Sequence, residues 1–246
     1  MKGAGCPCSP KRGITGVTEA AASFIAWDMS DLLNGPAFKP ANGKNPSSLV
    51  VLLHGVGADG NDLIGLAPFW APLLPETEFL APDGPEPCDM APFGRQWFSL
   101  QDRSPEAILA GVQASAPILD EFLDDVLKER GLGDDKLALV GFSQGTMMSL
   151  YVGLRRARPC AAILGYSGAL VGPLLLAKEI RSRPKTLLVH GDADPLMPFA
   201  SMANAQKTLA AAGVPVETFA CPGLGHAIDQ AGLQRGGEFL RAALAR

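Results

Sequence analysis

The sequence predicts an α/β fold, a mostly parallel, doubly wound sheet with helices on both faces. Three observations carry that expectation. Short continuous apolar runs recur along the chain, the mark of strands buried on both faces. Helical stretches alternate with them from residue 49 onward, which is the pattern of a parallel sheet. Residues able to do chemistry collect just past the C-terminal ends of those runs, where open α/β sheets bind ligands. The length, 246 residues, suits one large domain with a sizeable core and leaves little room for a second.

Residues 1–28 stand apart as an N-terminal extension, and residues 29–246 are taken as the domain. Residues 1–16 are rich in Gly, Pro, Cys and basic residues without periodicity and read as a tail. Residues 18–27 include Ala20, Ala21, Phe24, Ile25 and Trp27, which suggests one short apolar helix, a flap over a pocket or a partner subunit. It is no secretory signal, because the apolar part is short and broken by Glu19 and Ser23. Met29 is a second candidate start. Residues 34–48 then read as irregular.

Residues 49–53, LVVLL, form the first buried strand, and His54-Gly55-Val56-Gly57-Ala58-Asp59-Gly60 follows at once. Glycines at a strand's C-terminal end leave backbone amides free to point at an anion, as half of an oxyanion hole. A tight turn with no ligand is the plainer alternative. Residues 62–71 read as helix and 78–81 as a second strand. The long loop 82–104 carries Phe93, Trp97 and Phe98, which either wall an apolar pocket or pack the loop down as a satellite of the core. Ser104-Pro105-Glu106 opens a long helix to residue 130. Pro117 is expected to kink it, and Ile108, Val112, Ile118, Phe122 and Val126 mark its buried stripe.

The next strand, 137–140, runs into Gly141-Phe142-Ser143-Gln144-Gly145, and residues 146–152 begin a helix. A serine between two glycines on a strand-to-helix turn is a nucleophile elbow in its expected setting. An attacking hydroxyl must stand exposed at the end of the sheet. The turn that does this is strained and crowded, and flanking glycines relieve the crowding. The free amides of the following helix favour negative charge beside the serine. Arg155, Arg156 and Arg158 close that helix, where cations suit the dipole.

Residues 161–165 form another strand, ending in Tyr166-Ser167-Gly168. Ser167 lacks the second glycine of an elbow and is read as structural. Residues 186–189 lead into His190-Gly191-Asp192-Ala193-Asp194-Pro195, where one of two carboxylates is placed to orient a histidine. A helix over 199–212, a strand over 216–220 and a helix over 229–245 complete the chain, with His226 in the glycine-rich loop before the last helix. Serine, aspartate and histidine thus follow one another in the order used by hydrolases built on this elbow.

Composition narrows the partners. The net charge is −4, the pI is about 5.4, and no long basic stretch exists, which argues against nucleic acid. No apolar run is long enough to span a bilayer, and a cytoplasmic location is expected. Five cysteines at irregular spacing argue against a disulfide framework, and Cys6-Pro7-Cys8 has no second pair to complete a zinc set. The three histidines are too far apart for a local metal motif, so neither metal nor organic cofactor is expected.

The segments LHGVGADGND (53–62), QWF (96–98), GFSQG (141–145), HGDADPLMP (190–198) and GLGHAI (223–228) together resemble the carboxylesterase/phospholipase family of α/β-hydrolases. That family includes the acyl-protein thioesterases and small bacterial carboxylesterases. The match runs in family order from about residue 48 to the end, whereas residues 1–28 match nothing in it. The resemblance implies an α/β-hydrolase fold without a separate lid domain. It also implies catalytic roles for Ser143, Asp194 and His226, with Asp192 shaping the loop. It assigns the oxyanion donors to the backbone N–H groups of Val56 and Gln144. The family usually carries Leu or Tyr-like bulk at position 56, so Val56 implies a change of local pocket shape. The resemblance further sets Trp97, Leu196 and Met197 beside the substrate and makes a homodimer an expectation.

The implied activity is that of a serine carboxylesterase acting on small-molecule esters of short to medium chain through an acyl-enzyme. An acyl-thioesterase or lysophospholipase of the same family would use the same residues. A non-catalytic ligand-binding relative is the remote alternative; such proteins commonly lack one catalytic group, and here all three are present.

Overall fold

The computed structural model of the chain describes residues 24–27 and 33–245. Strands β1 (Phe24–Trp27), β2 (Gly35–Phe38) and β3 (Ser48–Leu53) come first, followed by the short helices α1 (Gly60–Ile64) and α2 (Ala67–Trp70) and by β4 (Thr77–Leu80). A two-residue pair, β5 (Glu86–Pro87) and β6 (Arg95–Gln96), sits within the long loop. Then come α3 (Pro105–Arg130), β7 (Leu137–Phe142), α4 (Gln144–Gly153), β8 (Ala162–Tyr166) and α5 (Pro173–Glu179). The chain ends with β9 (Lys185–Gly191), α6 (Ala200–Ala211), β10 (Val216–Cys221) and α7 (Gln230–Leu244).

Eight strands form one sheet in the order β1-β2-β4-β3-β7-β8-β9-β10. From β4 to β10 every pairing is parallel, and only β1 and β2 are antiparallel. This is the doubly wound sheet expected from the apolar runs. The order also locates the site. The chain steps from β3 outward to β4, returns past β3 to β7, and then moves outward through β8, β9 and β10. That reversal opens a crevice beyond the C-terminal ends of β3 and β7, where the 54–60 loop meets Ser143.

Alternate residues of the central strands feed two cores, as a period of two requires. Leu49, Val51, Leu53, Leu137 and Leu139 pack with Val112, Leu119, Phe122 and Val126 of α3 and with Met148 and Val152 of α4. Val50, Leu52, Ala138, Val140 and Leu164 pack on the other face with Trp70 and with Phe239 and Leu240 of α7. Helix α3 is capped by Ser104, whose hydroxyl accepts from the Ala107 amide, and it ends at Gly131 in the left-handed region (φ 64°).

Several expectations need correction. Phe24–Trp27 is a strand antiparallel to β2, where a helix over 18–27 was read. Phe, Ile and Trp suit an extended segment, and pairing with β2 covers backbone groups that an edge strand leaves open. The remainder of the 1–28 extension lies outside the described residues, as does Met29. The irregular stretch 34–48 holds β2, and the helix over 62–71 is two short ones. Helix α5 was not foreseen. The Arg155–Arg158 cluster does more than complement a dipole. Arg156 is buried and reaches Asp120, Asp124 and Asp134 at 2.6–2.7 Å, which ties the end of α4 to α3 and to the turn before β7. No described helix is long and apolar enough to cross a membrane.

Candidate active site

Ser143 occupies the turn between β7 and α4 with φ 54° and ψ −113°, a conformation that costs a non-glycine residue of order 1–3 kcal/mol. The surroundings hold it there. The Ser143 amide donates to the Tyr166 carbonyl at 2.9 Å, and the Thr146 hydroxyl bonds the carbonyls of both Gly141 and Tyr166 at 2.8 Å. The two glycines of the motif are required by contact. A Cβ on Gly145 would lie 1.8 Å from the Leu53 carbonyl oxygen, and one on Gly141 would lie 2.3 Å from the Gly145 backbone.

Asp194 follows β9, and its side chain is fully buried. Its Oδ1 accepts the amides of Leu196 and Met197 at 2.8 and 2.9 Å. Its Oδ2 lies 2.7 Å from His226 Nδ1 and 3.3 Å from His190 Nε2. Burial pushes this carboxyl up, but the Met197 amide, His226 and the Leu196 amide outweigh it and hold it below the ordinary carboxylate value. With Nδ1 bonded to a carboxylate, His226 carries its proton there and keeps Nε2 as the basic nitrogen. Its ring packs against Phe142, centroids 4.8 Å apart. Asp192 accepts the Gly223 amide at 2.6 Å and so joins the aspartate loop to the histidine loop.

His190 is a participant that the sequence reading did not single out. It is buried at the end of β9, and its Nε2 also lies 3.0 Å from the Met197 carbonyl. A carbonyl only accepts, so Nε2 carries the proton and is shared between Met197 and Asp194. The only signal in the sequence is its place four residues before Asp194.

The 54–60 loop is fastened from several sides. His54 is buried, and burial pushes its pKa down. Its Nε2 accepts the Gly84 amide at 2.8 Å, so Nδ1 carries the proton and donates to the Gly55 carbonyl. The Trp97 indole donates to the His54 carbonyl at 3.0 Å, and Gly57 and Ala58 exchange backbone bonds with Arg95. Gln144, fully buried, spans to the same long loop. Its Oε1 accepts the Trp97 amide at 2.9 Å, and its Nε2 donates to the Phe98 carbonyl at 2.7 Å.

Ser143 and His226 border one cavity of about 240 Å³ together with Val56 and Gln144. Val56 and Gln144 line the same cavity as Ser143, and neither backbone amide is bonded to another described residue. The rest of the wall is Gly55, Leu100, Arg103, Ile108, Phe142, Met147, Leu196 and Met197. Leu196 and Met197, expected beside the substrate, line the cavity. Trp97 does not. It is fully buried behind the wall, held by Gln144, His54 and the Ser115 hydroxyl, so of the two readings of the loop aromatics the packing one fits Trp97 and Phe98. Leu100, Arg103, Ile108 and Met147 were missed as wall residues. Ile108 had been read as core, and its half-buried position where α3 begins is the geometric reason it faces the cavity. Ser167, the other serine at a strand end, is buried, has φ 46°, and does not line the cavity. Among the described residues no cluster of His, Cys, Asp or Glu is arranged to hold a metal ion.

The family model for phospholipase/carboxylesterase matches residues 38–244. Esterase YpfH of Escherichia coli is 32% identical over 199 residues, covering 80% of this chain and 84% of its own length. Acyl-protein thioesterase 1 of Neurospora crassa is 26% identical over 208 residues, with 78% and 84% coverage. The crystal structure of esterase PE8 superposes with a TM-score of 0.83 at 44% identity, covering 86% of this chain and 99% of that one.

Proposed function

The chain belongs to the phospholipase/carboxylesterase family of α/β-hydrolases and is a hydrolase, and from that premise we propose a serine carboxylesterase that cleaves short- to medium-chain esters through an acyl-enzyme. One observation carries the reading. The buried side chain of Asp194 bonds His226 at 2.7 Å, and that histidine shares a 240 Å³ cavity with a strained serine. His226 takes the Ser143 proton through Nε2 as Oγ attacks the ester carbonyl. Asp194 holds the tautomer and stabilises the imidazolium. The Val56 and Gln144 amides stabilise the oxyanion, a contribution of about 3–4 kcal/mol per donor. His226 then protonates the leaving alcohol and activates the water that frees the acid. The small cavity, with Leu100, Ile108 and Met147 on its wall, supports a short to medium acyl group.

A thioester substrate is the second reading, favoured by the acyl-protein thioesterase relatives. The cytoplasmic location and the homodimer belong to the proposal as well, and cell fractionation and sedimentation of the purified chain check them. The deciding experiment measures kcat/KM on p-nitrophenyl esters from acetate to palmitate, beside one acyl-thioester, for wild type and Ser143→Ala. The expected profile peaks at short to medium chains, and the variant loses a factor of about 10⁶ in kcat. Undiminished turnover by Ser143→Ala overturns the serine mechanism. A palmitate optimum overturns the chain-length assignment, and a dominant thioester rate favours the second reading.

A further inference from the structure

Beyond Ser143, Gln144 and His226, the cavity wall is apolar except for one permanent charge. Arg103 is exposed at its rim, and no aspartate or glutamate lines the cavity with it. Arg103 makes no ion pair or hydrogen bond among the described residues. Several arginines are instead tied into the structure: Arg95 to the carbonyls of Gly84 and Pro85, Arg130 to Glu78, Arg155 to Glu179, and Arg156 to three aspartates. The nearest acids in sequence form no ion pair with it. Asp102 turns its Oδ1 to the Ser104 amide at 2.8 Å, and Glu106 lies in the first turn of α3. Structural need does not account for Arg103 either, since a cation just ahead of a helix N-terminus opposes the dipole.

Its place on the wall says which part of a substrate it meets. The leaving alcohol must lie next to His226, which returns a proton to it. His226, Leu196 and Met197 come from the β9 and β10 side of the cavity. The acyl group, which stays on Ser143, is therefore directed along the other wall, made by Leu100, Arg103, Ile108 and Met147. Resting on the serine-esterase reading, we propose that the preferred acyl group carries a carboxylate at its far end. The substrate class is then the monoester of a dicarboxylic acid, with Arg103 as the group that selects it. The methylenes lie on Leu100, Ile108 and Met147, and the distal carboxylate meets the guanidinium, whose planar fork suits a carboxylate.

The test compares two esters of equal chain length, mono-p-nitrophenyl adipate and p-nitrophenyl hexanoate. Its readout is the ratio of their kcat/KM values within each protein, so differences in folding or intrinsic rate cancel. Against the wild-type ratio, Arg103→Gln is expected to lower it about fivefold, the scale of one exposed ion pair. Arg103→Glu lowers it further, Arg103→Lys retains most of it, and rising salt weakens it in wild type. An Arg103→Gln ratio equal to that of wild type overturns the proposal. Failure of the underlying reading looks different, because Ser143→Ala would then still hydrolyse the hexanoate.

Discussion

The two halves of the proposed catalytic centre are held in different ways. At the end of β7, Ser143 is held by crowding, with a positive φ, a helix starting beneath it, and two glycines where no side chain fits. At the end of β9, Asp194 is held by hydrogen bonds, two amides on one oxygen and two histidines on the other. The difference teaches that steric and polar fixation fail differently. Crowding is a property of the fold, so disturbing it endangers the fold. A polar network is a property of its members, so removing one leaves a folded but misaligned site.

The largest effect is expected on the steric side. Gly145→Ala drives a methyl into the Leu53 backbone, which no side-chain motion relieves. We expect a loss of stability above about 4 kcal/mol, read by urea denaturation, or no soluble protein at all. A variant within 1 kcal/mol of wild type, by the same order-of-magnitude scale, would show that the elbow yields and would break the contrast. On the polar side, Asp194→Asn should fold and lose about 10⁴ in kcat, because the amide favours the wrong histidine tautomer. The same variant carries a pH signature. The Asp194 carboxyl is held below its ordinary value, so its stabilisation is complete above about pH 4 and is lost as pH falls through the lowered folded value. The Tm difference between wild type and Asp194→Asn should therefore narrow below pH 4, and a constant difference would refute the assignment.

His190 sharpens the contrast. His190→Phe removes the second donor to Asp194 Oδ2 and to the Met197 carbonyl. We expect kcat to fall about tenfold with KM nearly unchanged, the order of one lost hydrogen bond to a charged group. His190→Gln, which keeps a donor at a similar reach, should recover most of it. Equal losses for both variants would assign His190 to packing alone.

The same contrast explains what was legible beforehand. Sterically fixed features write themselves into short sequence windows, and the elbow was readable because crowding demands glycines at set positions around Ser143. The parallel strands were readable for a similar reason, since burial on both faces leaves continuous apolar runs. Polar fixation depends on partners that only the fold brings together. Asp192 and Asp194 could not be separated from the residues alone, because the choice rests on which carboxylate reaches His226, 32 residues away. Trp97 was set beside the substrate, yet Gln144 and His54 draw it behind the wall. Strands β1 and β2 escaped notice because they are short and antiparallel, and β2 opens with Gly35-Pro36, which reads as a turn.

Gln144 joins two properties that are usually thought of as separable. Its backbone adjoins Ser143 in the cavity wall, and under the proposed mechanism its amide would meet the developing negative charge, while its side chain clasps Trp97 and Phe98, from which the chain runs on to Leu100 and Arg103. Under the proposed function, reaction power and substrate choice are thus geared through one residue. On that proposal, moving this loop to reshape the acyl wall would also disturb the residue next to Ser143, so side-chain exchanges at Leu100, Arg103 and Ile108 are the gentler route to a changed substrate.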